Sequence, residues 1–214
     1  MRAMVRPRVI AHRGASDEAP ENTVAAFDLA LARGADGIEL DLRATGCGAL
    51  VALHDDEVGG RTLEQLDGQL PTLEAVLSRY AGRTELVLEP KEPRVERLLR
   101  TALDRCGVPP GSVTVQTFDL RMLRRLRLLE PRLRLVLVGS ALPPRDATWL
   151  DGACVKVDRF DESLVAAGHQ RGLDLSVWTV NDEQQAARLA SLGVDAILTD
   201  RPAALRRALE SPAA

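Results

Sequence analysis

Histidine and lysine are scarce in this 214-residue chain: the only histidines are His12, His54 and His169, and the only lysines are Lys91 and Lys156. Aromatic residues make up 3% of the chain, which leaves no stacking platform for single-stranded nucleic acid. The cysteines, Cys47, Cys106 and Cys154, are odd in number and far apart, with no C-x-x-C spacing. That argues against both a disulfide framework and a zinc site. The formal net charge of −3 offers nothing to draw in nucleic acid by bulk attraction. No apolar run reaches the roughly 18 residues of a membrane span, so stable membrane insertion is not expected. The opening MRAMVRPRVIAHRG carries basic residues but runs straight into a strand-like segment. It lacks the apolar core and cleavage site of a signal peptide, and a cytoplasmic protein is expected.

What is present is a regular alternation. With 45% hydrophobic residues, the chain can bury one core of about 200 residues, and a single domain over 1–214 is expected. Short apolar runs such as RVIAH, GIELDLRAT, TELVLEPK, SVTVQTF, RLRLVLVG, ACVKVDRF, DLSVWTVN and AILTD read as strands. Between them lie segments with apolar residues at helical spacing, several stopped by glycine or proline. LVALHD extends the second strand or pairs with it as a hairpin. Eight strand–helix units in this length predict a (β/α)8 TIM barrel, an α/β fold with a short insertion after the second strand. An open doubly wound sheet seldom needs eight units of such regularity. The weakest unit spans 140–152, where DATWLDG makes a poor helix.

Such barrels carry their chemistry at the C-terminal ends of the strands. His12 ends the first strand and His54 closes LVALHD. In GIELDLRAT, alternation sends Ile38, Leu40 and Leu42 toward the outer helices and Glu39 and Asp41 inward. In ELVLEPK it sends Leu86 and Leu88 outward and Glu89 and Lys91 inward. Gln116, Trp178 and Asp200 fall near the ends of later strands. Converging carboxylates either take up protons or bind a cation. The all-oxygen set Glu39, Asp41 and Glu89 suits Mg²⁺ or Ca²⁺ rather than zinc. Two histidines at the rim suit acid and base roles, and Arg13 and Lys91 suit an anion. Together they suggest hydrolysis of a phosphate ester.

Each residue also has a plainer reading. An E-x-D on a strand is often a salt-bridged rim pair, a lone histidine is often structural, and Trp178 taken singly reads as packing. Asp200 reads as a cap for the last helix. Glu21 and Asn22 read as the loop entering the first helix, with Asn22 or Thr23 its cap. His169, mid-helix in AAGHQRG, reads as surface. What outweighs the plainer readings is convergence on successive strand ends.

HRG, PENT, the E-x-D of GIELDLRAT, the HD of LVALHDD, LPTLEAVL, LEPK, VQTF, VWTVND and ILTDRP occur in this order over nearly the whole chain. In that set the sequence resembles the glycerophosphodiester phosphodiesterase family. The resemblance implies a (β/α)8 barrel that hydrolyses glycerophosphodiesters to glycerol 3-phosphate and an alcohol with a divalent cation. It implies that His12 and His54 are the catalytic acid–base pair, that Arg13 and Lys91 contact the phosphate, and that Trp178 lines the glycerol pocket. It also implies that Glu39, Asp41 and Glu89 hold the metal. The sequence departs from the family pattern in a short segment 55–70, in TGCGAL after the second strand, and in EPK for E-I-K, where Pro90 cannot donate a ladder hydrogen bond. The short segment implies a more open mouth that grips a lipid tail poorly. Lysophospholipase D activity and a non-catalytic binding barrel are the alternatives. An amidohydrolase barrel is disfavoured, since the first strand lacks an H-x-H pair. The expected partner is a small glycerophosphodiester, not nucleic acid.

Overall fold

The computed structural model describes residues 6–55, 58, 60–66 and 70–210. Nine strands and seven helices alternate among them: β1 Arg8–His12, α1 Val24–Ala32, β2 Gly37–Ala44, β3 Leu50–Ala52, α2 Leu73–Tyr80, β4 Glu85–Pro90, α3 Glu96–Arg105, β5 Val113–Thr117, α4 Leu120–Leu129, β6 Arg134–Gly139, β7 Gly152–Lys156, α5 Glu162–Gln170, β8 Asp174–Trp178, α6 Glu183–Leu192, β9 Ala196–Thr199 and α7 Pro202–Glu210. Every neighbouring pair in the ring β1-β9-β8-β7-β6-β5-β4-β2 is parallel, and β2 returns to β1 to close it. This is the eight-stranded barrel that the periodicity predicts. β3 lies outside the ring as the second arm of a hairpin, antiparallel to β2 with Leu42 opposite Ala52.

The strand alternation sorts the side chains as expected. Ile38, Leu40, Leu42, Leu86 and Leu88 are buried in the shell between barrel and helices. A smaller cluster of Ile10, Val87, Val136, Val138, Cys154, Ala196 and Leu198 fills the barrel interior. Each buried leucine or isoleucine contributes about 2 kcal/mol of transfer free energy, so the two layers together fix the ring. Thr23, Thr72, Asp119, Asp161 and Asp182 cap their helices through side-chain oxygens, as sequence signals of this kind predict.

The 140–152 unit has no helix. β6 runs to β7 through an irregular link whose Ala147 and Leu150 are buried against the shell. DATWLDG offers too few apolar positions for a helical stripe, and two buried side chains cover the barrel there instead. Pro90 leaves strand pairing intact: Leu42 stands opposite Pro90, and the next amide, that of Lys91, donates to the Leu42 carbonyl at 3.0 Å. In TGCG, Thr45 Oγ1 closes the hairpin onto Ala49, and the Gly46 amide donates to the Arg61 carbonyl at 2.9 Å. A Cβ on Gly46 would stand 2.0 Å from the Gly60 carbonyl oxygen, so only glycine fits that contact. Part of the segment 55–70 lies outside the described residues. Its Val58 and Leu66 are buried, so that much of it packs down despite its polar composition.

Candidate active site

Three neighbouring strands build the acidic centre. Register places His12 opposite Glu39, and Asp41 opposite Glu89. Glu39, Asp41 and Glu89 are all buried, and one carboxylate oxygen from each lies within 4.8 Å of the others. Asp41 accepts from Asn22 Nδ2 at 3.0 Å, and its amide donates to Asn22 Oδ1 at 3.1 Å. Lys91 Nζ is 2.8 Å from Asp41 Oδ1 and also bonds Glu89. Gln116 Nε2 donates to Glu89 Oε2 at 2.9 Å. The Arg13 amide donates to Glu39 Oε2 at 3.0 Å, whereas the buried Glu39 Oε1 has no hydrogen-bond partner among the described residues.

The electrostatics follow. Burial first, then the charges of Asp41 and Glu89, push the Glu39 carboxyl well above the usual carboxylate range. For Asp41 burial acts in the same direction but is outweighed by Lys91, Asn22 and Arg13, which hold it below that range. With all three ionised, the buried carboxylates outnumber the two cations, and among the described residues Glu39 Oε1 has no hydrogen-bond partner. That donor set fits a hard divalent cation.

Cationic and titratable groups gather around this centre. Arg13 Nε is 3.0 Å from Asp41 Oδ2, and its Nη1 donates to Glu21 at 2.9 Å. Arg13 holds φ 58° and Asn22 φ 57°, in the left-handed region that non-glycine residues seldom occupy. The Asn22 amide donates to the Arg13 carbonyl at 3.0 Å and closes this loop. Gly14 follows at φ 85°, with Ala26 so near that a Cβ would clash at 2.7 Å. HRG thus turns its chain sharply against α1 while keeping Arg13 over the carboxylates.

His12 Nδ1 lies 2.7 Å from Asp200 Oδ1. Asp200 also accepts from Ser16 Oγ at 3.0 Å and Asn181 Nδ2 at 2.7 Å. Burial raises the Asp200 carboxyl, but bonds from His12 and Asn181 prevail and hold it at about 2. His54 is more open, its side chain 39% exposed, with Nδ1 2.9 Å from Asp55 Oδ1 and its carbonyl held by Arg43 at 2.8 Å. His12, Arg13, His54, Glu89, Lys91, Gln116, Phe118 and Trp178 line one cavity of about 160 Å³. Phe118 is 56% exposed and stands edge-on to Trp178, ring centroids 5.6 Å apart. Trp178 Nε1 is buried and has no hydrogen-bond partner among the described residues.

The structure therefore brings together all eight sequence-predicted site residues and adds some. Asp200 is not the cap of α7; its carboxylate faces His12. Asn22 and Glu21 are not mere loop: Asn22 holds Asp41 and Glu21 holds Arg13, while Thr23 alone caps α1. The signal for these was PENT beside HRG and the D of TDRP, whose cap reading competes equally well in sequence. His169 is not bare surface: Nε2 lies 2.9 Å from Asp195 Oδ2, away from the cavity. Lys156 is exposed, 3.6 Å from Asp158.

Comparison with known proteins agrees with this geometry. The sequence model of the Glycerophosphoryl diester phosphodiesterase family matches residues 12–79 and 63–204. The Bacillus subtilis protein YhdW is 33% identical over 230 residues, covering 91% of this chain and 94% of that one. A glycerophosphodiester phosphodiesterase of Caldanaerobacter subterraneus subsp. tengcongensis is 31% identical over 232 residues, covering 92% and 95%. An Oleispira antarctica phosphodiesterase, solved in complex with the product sn-glycerol-3-phosphate, superposes with a TM-score of 0.86 at 27% identity over 96% of this chain and 97% of that one. A closed parallel barrel, a buried acidic triad beside two histidines, and a match running from His12 to the last helix point the same way: this chain belongs to the glycerophosphoryl diester phosphodiesterase family.

Proposed function

We propose that the protein hydrolyses glycerophosphodiesters to glycerol 3-phosphate and an alcohol, using a divalent cation held by Glu39, Asp41 and Glu89. The observation that carries this reading is the shared cavity: two histidines, Arg13 and Lys91 line a space whose floor includes one of three clustered carboxylates. Glu39, Asp41 and Glu89 would hold the cation, which would supply positive charge beside the phosphate oxygens.

Arg13 and Lys91 supply the fixed positive charge that meets the phosphate and the charge that grows on it in the transition state. One histidine takes the proton of the attacking hydroxyl as the new P–O bond forms. The other gives its proton to the alcohol oxygen as the old P–O bond breaks. Asn22 and Gln116 hold Asp41 and Glu89 in place. Trp178 and Phe118 offer an apolar wall for the glycerol carbons.

Release of glycerol 3-phosphate from glycerophosphocholine, glycerophosphoethanolamine and glycerophosphoglycerol, assayed with and without added Mg²⁺, Ca²⁺ or Mn²⁺, tests the reading. Cation-dependent release is expected. Turnover of lysophosphatidylcholine in preference to all three would move the activity to lipid substrates, and no turnover of any would leave a binding barrel.

A further inference from the structure

The segment from Arg94 to Arg134 carries ten arginines and four carboxylates, in a chain whose formal net charge is −3. It builds α3 and α4, which pack side by side on the flank of the barrel. Its four carboxylates are all engaged within the segment. Glu96 takes Arg125 at 2.5 Å, and Asp104 takes Arg100 at 2.9 Å. Glu130 takes Arg100 at 2.8 Å and Arg132 at 2.9 Å. Asp119 caps α4 and lies 3.7 Å from Arg125. Arg105, Arg127 and Arg134 reach Glu74, Asp151 and Asp174 outside the segment. Arg94, Arg97, Arg121 and Arg124 remain. All four are exposed, and none makes an ion pair among the described residues.

An apolar feature lies on the same side. The helix LRMLRRLRLL of α4 buries Met122, Leu123 and Leu126 against the barrel shell. Arg121, Arg124, Arg125 and Leu128 follow one another at i, i+3, i+4 and i+7, on the opposite, solvent-facing stripe. Leu128 is 80% exposed, and Leu129 beside it 38%. A lone exposed leucine is ordinary. A leucine within a stripe of guanidiniums, on a helix with no acid of its own, is the pattern of a helix that lies on an anionic surface with an apolar layer beneath.

We propose that the α3–α4 face docks on the surface of an anionic phospholipid bilayer, with the four free guanidiniums on lipid phosphates and Leu128 at the boundary between headgroups and acyl chains. Charge complementarity names the occupant. A nucleic-acid duplex would meet the arginines equally well but has no apolar layer for Leu128. The docking is peripheral, since no described helix is long and apolar enough to cross a membrane. Arg94, Arg97 and Arg121 lie at the N-terminal ends of α3 and α4, which follow the C-terminal ends of β4 and β5, so the docked face adjoins the barrel mouth. A glycerophosphodiester is the headgroup left when a phospholipid loses its acyl chains, and the mouth then opens where such a molecule arises. That consequence rests on the proposed activity; the docking does not.

Co-sedimentation with vesicles tests the proposal without any assay of turnover. Vesicles of equal parts phosphatidylglycerol and phosphatidylcholine are compared with pure phosphatidylcholine, in chelator so that no cation bridges the acidic centre to lipid phosphate. The whole chain is expected to bind the anionic vesicles and not the neutral ones, and to release them as salt rises. Each cation near such a surface is worth about fivefold in affinity. Joint Arg97→Glu, Arg121→Glu and Arg124→Glu should therefore weaken binding by about 10²-fold or more, and Leu128→Ala by about threefold or more. Arg188→Glu, exposed on α6 across the barrel, should change it less than about twofold. Glycerophosphocholine turnover, if the wild type shows it, should be the same in all these variants. Failure of wild-type protein to bind anionic vesicles, or equal binding by the triple variant, would overturn the proposal. So would an undiminished affinity in Leu128→Ala, or tighter binding to a short RNA duplex than to the vesicles. A wild type that binds vesicles but turns over no glycerophosphodiester would leave this proposal standing and sink the functional one.

Discussion

The barrel has a charged cluster at each end, and they are built on opposite principles. At the base, Arg8 bridges Glu85 at 2.6 Å and Asp174 at 2.7 Å, and Arg134 joins Asp174 at 3.1 Å. Two guanidiniums meet two carboxylates, most of the oxygens are bonded, and the strands' N-terminal ends are tied together. At the mouth, three carboxylates, when all are ionised, outnumber Lys91 and Arg13, and among the described residues Glu39 Oε1 is buried without a hydrogen-bond partner. The base is balanced and serves folding. The mouth is out of balance, which costs stability and is retained where a ligand can restore the balance. Counting carboxylates alone does not separate a site from a staple; the sum of charges and the orphaned oxygen do.

The comparison breaks if variants at the two ends have the same effects. The largest effect is expected at the mouth. His12→Ala and His54→Ala should each lower kcat on glycerophosphocholine by about 10²-fold or more, with thermal stability little changed. At the base, Arg8→Ala should leave kcat within about twofold but lower unfolding free energy by about 2 kcal/mol, because Glu85 and Asp174 lose their shared partner while remaining partly open to water. Steady-state kinetics beside urea unfolding checks both.

Acid titration sharpens the contrast. The fold holds Asp200 at about 2, below its ordinary 3.8, so its bonds add stability above 3.8 that is lost as pH falls toward 2. Wild type should lose about 2 kcal/mol relative to Asp200→Asn across that interval. Glu39 has the opposite sign. Its folded value is raised, so in cation-free protein its contribution is present below about 4.5 and lost as pH rises through the folded value. Glu39→Gln should therefore hold its melting temperature better than wild type as pH rises in chelator, and gain less from added cation.

The smallest effect is expected at His169, which joins α5 to the turn before β9 through Asp195. His169→Ala should leave kcat unchanged and cost about 1 kcal/mol in urea unfolding.

Much of this was legible in the sequence because period and position carry it. Alternation in GIELDLRAT put Glu39 and Asp41 on the inner face, and eight repeats of strand and helix gave the ring. What stayed hidden depends on partners distant in the chain. Asp200 meets His12 only when β9 closes against β1, and a lone Asp before a helix carries the same local signal as a cap. Asn22 reads as a cap for the same reason, until φ 57° turns its amide toward Asp41. The missing helix in 140–152 was visible as weak periodicity. The Arg8 staple was not visible at all, since its partners lie 77 and 166 residues away.

The claim that the mouth is a cation site waiting for charge is tested most directly by calorimetric titration of chelator-treated protein with Mg²⁺, Ca²⁺ and Mn²⁺. The account predicts saturable binding of a divalent ion in wild type, weakened at least about tenfold in Glu39→Gln, a loss of about 1.4 kcal/mol or more, and untouched in Arg8→Ala. No binding by folded wild-type protein, or equal affinity in Glu39→Gln, would contradict it.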